Sequence, residues 1–515
     1  MRSGTRSPTE PTEPTEPSEE PQVAIVGAGA VGLTLAGRLA QHGIGVAVFE
    51  QESEPRRIGS RAICMQRETL EILARLGVGE RVAERGIQWR VGRTYHRGRQ
   101  LFQVELPTHA EHFPPFVNIS QSEVEELLEA RLAELGVPVQ RGQRCMGIQQ
   151  DDAGVTATFE TDGGTARHRF AYLVGTDGAH STVRHAAGIG FEGYSFKDRF
   201  LIADVRAELP FSNERHFHFD PPWNPGRQVL IHPQPDGIWR IDWQVPPETV
   251  ADAERASGGL DRRIRAVIGE RTPYELVWLT AYRFSQRVAD RFRDGRVFLA
   301  GDAAHVMSPF GARGLNSGAA DAENLAWRLA WVLRHRADPS LLDAYEAERR
   351  GAALENLAAT DATMRFMAPH GRLGRAWRDL VLRLAPRSGW FRRRVNSGRL
   401  AEPARYPAAG PDDSRLPRHG SVSPDLSLPG GGRLRERLGR GFVLLAPREV
   451  EASVPVVVIG TGSAYGDERA WLVRPDGYLA DSTLLDPGPP ADAVELAAWV
   501  SRSVPGNPGR MSPAG

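Results

Sequence analysis

Two short apolar runs, separated by a stretch with helical spacing, open the patterned part of the chain. The first run, Gln22–Val26, is rich in β-forming residues and stops at a glycine, and the second run is Gly45–Phe49. Between them, apolar residues recur at helical spacing from Leu33 to Leu39. A strand, a helix and a strand in this order predict a βαβ unit, and therefore an α/β fold with a parallel sheet.

The pattern changes between residues 191 and 284, where short aromatic-rich runs are broken by proline and glycine. Examples are His216–Phe219 and Ile238–Trp243, in which polar and apolar residues interleave. Such runs predict strands, so residues 191–284 are predicted to be an inserted β-sheet domain.

The run Arg296–Ala300 predicts a return to the first domain, and long helical stretches follow it. The first domain is thus predicted to be discontinuous, with residues 21–190 and 285–400 in one Rossmann-like unit that carries a helical extension. Two amphipathic segments, Glu123–Leu135 and Asp321–Leu333, predict helices within it.

The last part of the chain begins with a proline- and glycine-rich stretch, residues 401–429, which predicts a linker. Beyond it, Pro455–Ile459 and Ala470–Val473 predict strands, and Arg474–Tyr478 predicts a turn. Residues 430–515 are therefore expected to form a small, separate α/β domain.

The formal charge is zero, since 64 lysines and arginines balance 64 aspartates and glutamates. No global field therefore draws the chain to nucleic acid or to an anionic membrane, and small molecules are the expected partners. Cys64 and Cys145 are too few for a disulfide framework or a zinc cluster. Residues 1–20 repeat Pro-Thr-Glu and are expected to be a disordered tail. Without a spanning apolar run or a secretory leader, a cytoplasmic location is expected.

A glycine-rich segment of sequence GAGAVG, Gly27–Gly32, lies between the first strand and its helix. Glu50 follows 18 residues after Gly32, at the end of the second strand, a context that predicts a dinucleotide site. Gly27 permits the tight turn, Gly29 lets the backbone approach a pyrophosphate, and Gly32 allows close helix–strand packing. Glu50 is expected to accept hydrogen bonds from ribose hydroxyls. The fingerprint alone does not separate FAD from NAD.

Two further segments distinguish the cofactors. Tyr172–Gly178 continues to Ser181 and Arg184, and Gly301–Asp302 follows the later strand. Together with the glycine fingerprint, they resemble the hallmarks of class A flavoprotein monooxygenases of the para-hydroxybenzoate hydroxylase fold: G-x-G-x-x-G, D-G-x-x-S-x-V-R and a distal G-D. The resemblance covers about residues 22–400, and within the family the sequence is most similar to the hydroxyphenylpropionate and chlorophenol hydroxylases.

The resemblance implies that the cofactor is FAD, and it assigns residues to FAD binding. Asp302, in the Gly301–Asp302 motif, would bind the ribitol, and Asp177 with Gly178 would contact the cofactor and the nicotinamide nucleotide. Arg61 would lie near the flavin. Two further implied contacts are Gln121, as a FAD-contacting glutamine, and Cys145, through its backbone at the adenine.

The segment Ser308–Gly318 opens the next helix. Its glycines expose backbone N–H groups at the positive end of the helix dipole, which suits the anionic edge of a reduced flavin. The family pattern is P-x-G-G-x-G-x-N, so Ala312 and Arg313 are departures, and Arg313 is a candidate source of positive charge near the flavin. The flavin contacts implied by the resemblance are Gly314, Leu315 and Asn316.

Other tempting residues lie in the predicted β-sheet domain. His216, His218 and His232 lack nearby carboxylate or cysteine partners, so no metal site is predicted. Arg227 and Arg240 are candidate partners for a substrate carboxylate or phenolate, and the alternative of solvent-facing arginines has equal weight.

The activity that the resemblance implies is hydroxylation of a phenolic or other aromatic substrate, bound by the inserted domain. NADPH or NADH would reduce the flavin, and O2 would give a C4a-hydroperoxide on it, so no single side chain is predicted to be catalytic. The alternatives are a polyketide-tailoring oxygenase, acting by epoxidation, Baeyer–Villiger insertion or hydroxylation, and a non-catalytic flavin-binding protein.

Residues 430–515 resemble the thioredoxin-like C-terminal domain of phenol hydroxylase relatives, notably through Arg474–Tyr478. This part of the chain has no cysteine, which excludes redox exchange. Packing or subunit contact is its expected role, and formation of a homo-oligomer is left open. The predicted fold class is therefore α/β, with a Rossmann-like FAD-binding domain, an inserted β-sheet substrate domain and a small thioredoxin-like C-terminal domain.

Overall fold

The computed structural model describes residues 21–55, 59, 62–106, 112–210, 213–309, 311–367, 369, 371–390, 403–407, 416–450 and 454–484. The elements of the first part of the chain are β1 (Val23–Val26), α1 (Ala30–Gln41), β2 (Val46–Phe49), β3 (Cys64–Gln66), α2 (Arg67–Arg75), α3 (Gly79–Arg85), β4 (Val91–His96), β5 (Arg99–Glu105), β6 (Phe116–Asn118), α4 (Gln121–Glu134), β7 (Val139–Gln140), β8 (Arg144–Asp151), β9 (Gly154–Thr161), β10 (Gly164–Phe170) and β11 (Tyr172–Gly175).

The middle of the chain is rich in strands. Its elements are α5 (Thr182–Ala186), β12 (Phe191–Ser195), β13 (Arg199–Arg206), β14 (Glu214–Phe219), β15 (Gln228–Pro233), β16 (Ile238–Val245), α6 (Ala251–Ala256), α7 (Gly259–Ile268), β17 (Glu275–Tyr282), β18 (Ser285–Ala289), β19 (Arg293–Asp294), β20 (Val297–Leu299), a 3-10 turn (Gly301–Ala303) and β21 (His305–Val306).

The last part begins with long helices. Its elements are α8 (Arg313–Arg334), a 3-10 turn (Pro339–Leu342), α9 (Asp343–Met367), α10 (Gly371–Leu384), a 3-10 turn (Leu434–Arg437), β22 (Val443–Ala446), β23 (Val456–Val458), β24 (Arg469–Val473) and β25 (Leu479–Leu484).

A mostly parallel sheet with the order β19-β20-β11-β1-β2-β7 contains the predicted βαβ unit. All its neighbouring strands run parallel except β19, which pairs antiparallel with β20. The central strands are fully buried, which explains why they are continuous apolar runs. The sheet joins strands from before and after the predicted insertion, because β11 lies between β1 and β20. The strands predicted from the apolar runs at residues 22, 45 and 296 are confirmed.

A second, seven-stranded sheet has the order β17-β13-β16-β15-β14-β4-β5. It includes the predicted strands at His216–Phe219 and Ile238–Trp243. It also takes β4 and β5 from outside residues 191–284, while β12 pairs with β18 in another sheet. One face packs against α7 through apolar residues such as Ile241 and Ile264. The opposite face packs in part against Met364 and Met367 of α9, and the rest of it can line a site.

The C-terminal sheet has the order β23-β22-β24-β25, with β22 and β23 parallel. It packs on α8, where Trp327 meets Phe442 and Leu472. The predicted turn after β24 is confirmed: Gly477 has φ +85°, and its N–H donates to the carbonyl of Arg474 at 2.9 Å. Among the described helices of the whole chain, none combines the length and apolar character needed to cross a membrane.

Candidate functional site

A cavity of about 1790 Å³ is lined by both the parallel sheet and the seven-stranded sheet. Gly29 and Glu50 of the βαβ unit line it, as does Gly314 at the start of α8. Arg240 and Trp278 line it from the seven-stranded sheet. The predicted dinucleotide site and one face of the strand-rich region therefore open into the same space.

The three fingerprint glycines differ in what makes a side chain unacceptable. At Gly27, where φ is +107°, an added Cβ would lie 2.6 Å from the carbonyl oxygen of Thr176. At Gly32 it would lie 2.1 Å from the carbonyl oxygen of Gly27. At Gly29 the nearest atom would be Oε1 of Glu125, at 3.6 Å. Packing within the protein therefore requires glycine at positions 27 and 32. Gly29 borders the cavity, and there only a ligand would require the absence of a side chain.

Carboxylates occupy the N-terminal end of α1. Oε2 of Glu50 accepts the N–H of Ala28 at 2.8 Å, and Oε1 of Glu125 accepts the N–H of Ala30 at 3.0 Å. Gln121 donates to the same oxygen of Glu125 at 2.7 Å. Both glutamates and Gln121 line the cavity. The backbone donors at this helix end therefore hold carboxylates in the structure, and Glu125 is a residue that the sequence patterns did not reveal.

The Gly-Asp motif after β20 is held from behind by a buried ion cluster. The N–H of Gly301 donates to Asp321 at 3.0 Å, and the carboxylate of Asp321 also contacts His305 at 2.7 Å and Arg349 at 2.7 Å. Burial raises the pKa of Asp321, but His305 and Arg349 outweigh burial and hold it below its usual value. Asp302 is exposed and lines the cavity, so the cluster positions the backbone that presents it.

The start of α8 is fastened to β3 by the side chain of Asn316. Its Oδ1 accepts the N–H of Gln66 at 2.8 Å, and its Nδ2 donates to the carbonyl of Cys64 at 2.9 Å. An added Cβ on Gly314 would meet no heavy atom within 4 Å. The side-chain amide of Asn316 is bonded to β3 and so leaves the backbone N–H groups in the first turn of α8 available to a ligand. The predicted flavin contacts Gly314, Leu315 and Asn316 all line the cavity.

The two departures from the family pattern have distinct environments. Ala312 precedes α8 with φ +52°, a left-handed conformation that explains why the family pattern has glycine there. Arg313 is buried, lines the cavity and donates to the side chain of Asn356. Burial lowers the pKa of Arg313.

Asp177 lies behind the cavity lining, whereas Gly178 is part of it. The carboxylate of Asp177 accepts Ser181 Oγ at 2.5 Å and the N–H of Val183 at 3.1 Å, so it stabilises the start of α5. Its side chain is therefore engaged within the protein and does not face the cavity. A contact of Asp177 with the cofactor stays a prediction.

Two other predicted positions also lie outside the cavity lining, and a third is not among the described residues. Cys145 is buried in β8 outside the lining, and burial raises the pKa of its thiol to about 11. Arg227 lies outside the lining and pairs with Asp198 at 3.4 Å. Arg61 lies outside the described residues.

Arg240 lines the cavity, but its guanidinium is already paired. Nε and Nη2 donate to the two carboxylate oxygens of Asp204 at 2.8 and 2.7 Å, and the arginine is only 2% exposed. The same face carries Arg215, His232 and Asp242, and the sequence patterns do not single out Arg215 or Asp242. The rest of this face is mostly apolar or aromatic: Phe200, Ile202, Phe217, Leu230, Trp278, Tyr282 and Phe284.

Comparison with known proteins agrees with this geometry. The family described as FAD binding domain matches residues 20–360. The chain belongs to this family, among the class A flavoprotein monooxygenases. The monooxygenase fold class predicted from its motifs, α/β with a FAD-binding fold, is thereby confirmed.

The monooxygenase is 34% identical to rifampicin monooxygenase of Streptomyces venezuelae, over 89% of this chain and 94% of that protein. It is 33% identical to 3-(3-hydroxy-phenyl)propionate/3-hydroxycinnamic acid hydroxylase of Comamonas testosteroni, over 70% of this chain and 61% of that protein. The solved ternary complex of aklavinone-11 hydroxylase with FAD and aklavinone has a TM-score of 0.75 and 27% identity. That match covers 95% of this chain and 99% of the other. The protein is therefore a flavoprotein monooxygenase with FAD as its cofactor.

Proposed function

We propose that this monooxygenase uses NADPH or NADH and O2 to hydroxylate a phenolic or polyketide-type aromatic substrate held in the cavity. The observation that carries the proposal is the size and continuity of that cavity, about 1790 Å³ from Gly29 to Trp278. Pockets for one small ligand measure about 300–1,000 Å³. A single space of this size has room for a dinucleotide and a substrate side by side.

The cavity-lining residues suit FAD in distinct ways. The chemistry that bound FAD would supply is the uptake of a hydride from the nicotinamide and the activation of O2. The start of α1, at Gly29, would hold the pyrophosphate, and Glu50 would accept the ribose hydroxyls. Asp302 would bind the ribitol chain, and the N–H groups around Gly314 would face the N1–C2=O edge of the flavin.

The substrate end of the cavity favours a multi-ring substrate over a single-ring phenol. Two proteins that match nearly the whole chain are named for rifampicin and aklavinone, whereas the hydroxyphenylpropionate hydroxylase matches 70% of it. Aromatic side chains such as Trp278 and Tyr282 offer broad apolar contacts to fused rings. A single-ring phenol is the second candidate, supported by the sequence likeness to that hydroxylase.

Anaerobic stopped-flow reduction of the flavin by NADPH and by NADH tests the proposal. The chain has one glycine fingerprint, so the nicotinamide nucleotide is expected to dock transiently and reduction to depend on bound substrate. We expect slow reduction by the nucleotide alone and faster reduction with emodin, a trihydroxyanthraquinone, or with 3-hydroxyphenylpropionate. Turnover under 18O2 should give a product that carries one labelled oxygen. Equal reduction rates with and without a compound that is converted to product would contradict substrate-gated reduction.

A further inference from the structure

Three polar side chains on adjacent strands line the cavity, and each has one buried atom that lacks a hydrogen-bond partner. The atoms are Nε of Arg215 on β14, Nδ1 of His232 on β15 and Oδ1 of Asp242 on β16. More than about 90% of buried polar groups in native proteins are paired, and an unpaired one is destabilising. Within the described residues these three side chains form no hydrogen bond or ion pair, so their remaining polar atoms, side by side on one cavity wall, are available to a bound molecule.

The strand register places Asp242 among apolar neighbours. On β15 the residue opposite Asp242 is Leu230, and on β13 it is Ile202. Burial raises the pKa of Asp242 to about 7, and the negative charge of Asp204 adds to the rise while Arg240 opposes it. A carboxyl group in this position has a strong need for a hydrogen-bond donor, and the flanking side chains of Leu230 and Ile202 supply none.

The register gives His232 a different neighbour. It lies opposite Arg240, whose guanidinium is committed to Asp204. Burial, with the positive charges of Arg215 and Arg240, holds the pKa of His232 well below its usual value. The imidazole is therefore neutral at pH 7 and can accept or donate a hydrogen bond.

Arg215 supplies the opposite chemistry. Its guanidinium lies near the rings of Trp89 and Phe217, 5.9 and 5.6 Å from their centroids. No carboxylate of the described residues lies within ion-pair distance of it, and burial lowers its pKa. Arg215 can therefore donate to an oxygen of a ligand without first breaking an ion pair.

We propose that Arg215, His232 and Asp242 bind an oxygenated edge of a multi-ring phenol. Arg215 donates to a carbonyl or phenolate oxygen, and Asp242 accepts a hydrogen bond from a phenolic hydroxyl, with His232 between them. β14 and β16 lie two strand spacings apart, about 10 Å, which is wider than one benzene ring. The two groups therefore reach different oxygens of a fused-ring substrate. This assignment rests on the proposed aromatic monooxygenase function and names the substrate class for it.

Equilibrium dialysis of the FAD-loaded enzyme with two probes tests the assignment. Emodin carries carbonyls and phenolic hydroxyls, whereas anthraquinone carries carbonyls alone. Asp242→Leu should weaken emodin binding roughly tenfold or more and leave anthraquinone binding within about twofold, while Arg215→Met should weaken both probes. Arg206→Met is the matched control on the same sheet, since Arg206 is 48% exposed and pairs with Glu275. It should change neither dissociation constant.

Two results would overturn the assignment: an Asp242→Leu enzyme that binds emodin like the wild type, or one that loses both probes equally. A wild-type enzyme that binds neither probe would overturn the substrate class. Asp242→Asn preserves the side-chain size and should weaken emodin selectively if Asp242→Leu fails to fold. FAD content and nucleotide-driven flavin reduction are measured in the same samples. If the nucleotide reduces the flavin but the enzyme binds no emodin, the recognition assignment alone is refuted. If the nucleotide does not reduce the flavin of the wild-type enzyme, the monooxygenase mechanism is refuted.

Discussion

Arg474 and Glu348 form two parallel hydrogen bonds, Nη1 to Oε1 at 2.7 Å and Nη2 to Oε2 at 2.9 Å, although 126 residues separate them in the chain. Their side chains are 3% and 1% exposed. Arg474 opens the turn after β24, and Glu348 lies on α9. Glu348 also pairs with Arg328 of α8 at 3.0 Å. The C-terminal sheet is thus fastened to α8, which begins with the candidate flavin contacts, and to α9.

Replacing Glu348 by Ala should strongly destabilise the fold. The substitution leaves the guanidiniums of Arg328 and Arg474 buried without this carboxylate, and loss of one partner of a buried ion pair costs about 3–5 kcal/mol. Urea unfolding measures the change in the free energy of unfolding. Arg206→Ala, at the exposed pair with Glu275, is the comparison and should cost no more than about 1 kcal/mol. Similar losses for the two variants would contradict the structural role of Glu348.

Gly29→Val and Gly32→Ala should fail in different ways. At Gly29 an added side chain enters the cavity, so the Val variant should fold and lose FAD. At Gly32 even one methyl group would lie 2.1 Å from the carbonyl oxygen of Gly27, so the Ala variant should lose stability. Circular dichroism reports the fold, and flavin absorbance after purification reports FAD content. Full FAD occupancy in a folded Gly29→Val protein would show that the pyrophosphate binds elsewhere.

Asp302→Ala should weaken FAD binding. A hydrogen bond from the ribitol to a charged carboxylate contributes about 1.5–3 kcal/mol, which corresponds to roughly tenfold to a hundredfold in the dissociation constant. Titration of the apoprotein with FAD measures it. Asp294→Ala is the control, because Asp294 lies on β19 outside the cavity lining. An unchanged dissociation constant for Asp302→Ala would remove that residue from the site.

Ala312→Gly should stabilise the enzyme. Ala312 has φ +52°, which costs a residue with a Cβ about 1–2 kcal/mol, and glycine relieves the strain but loses more backbone entropy. We expect a net gain of up to about 1 kcal/mol, seen as a higher Tm. Ala319→Gly, inside α8, should have the opposite sign and cost about 1 kcal/mol. A lower Tm for Ala312→Gly would argue against the left-handed conformation.

The contribution of Glu68 to stability should fall as pH rises from about 5 to 8. Burial and the neighbouring Glu71 raise the pKa of Glu68 from 4.5 to about 7, and Tyr478 donates to it at 3.3 Å. The folded state therefore keeps a proton on Glu68 that the unfolded chain releases. The stabilisation from this proton is complete below pH 4.5 and is lost as the pH rises through about 7. The loss can reach about 3 kcal/mol.

Glu68→Gln provides the comparison, because it removes this titration while keeping the side-chain size. Asp242 contributes a slope of the same sign, so the quantity to measure is the difference between wild type and variant in urea unfolding across pH 5–8. Parallel stability curves for the two proteins would show that Glu68 does not titrate in this range.

The cofactor end of the site could be predicted because its determinants are local. The contact that excludes a side chain at Gly32 comes from Gly27, five residues earlier, and Glu50 caps the turn that contains Ala28. A one-dimensional pattern captures such relationships. The contact of Asp177 with the cofactor, which the resemblance implies, stays a prediction, because a motif gives the position of a carboxylate but not its hydrogen-bond partner.

The substrate end depends on pairing between distant strands, and a sequence pattern does not give that register. The sequence leaves Arg240 as either a substrate partner or a solvent-facing arginine. It does not show that Asp204, 36 residues away, lies opposite Arg240 on β13 and pairs with its guanidinium. Arg215 and Asp242 could not be grouped before the order of β14, β15 and β16 was known. The attachment of Arg474 to Glu348 is equally non-local.

The position of β20 in the parallel sheet has a consequence for the synthesis of this protein. β11 can pair with β1 on one side once residue 175 has left the ribosome, but its other neighbour, β20, ends at Leu299. While the ribosome translates the intervening residues, the apolar β11 has an unpaired edge, the kind of edge that promotes aggregation. The order of the strands thus sets a point in translation, after residue 299, before which β11 cannot be paired on both edges.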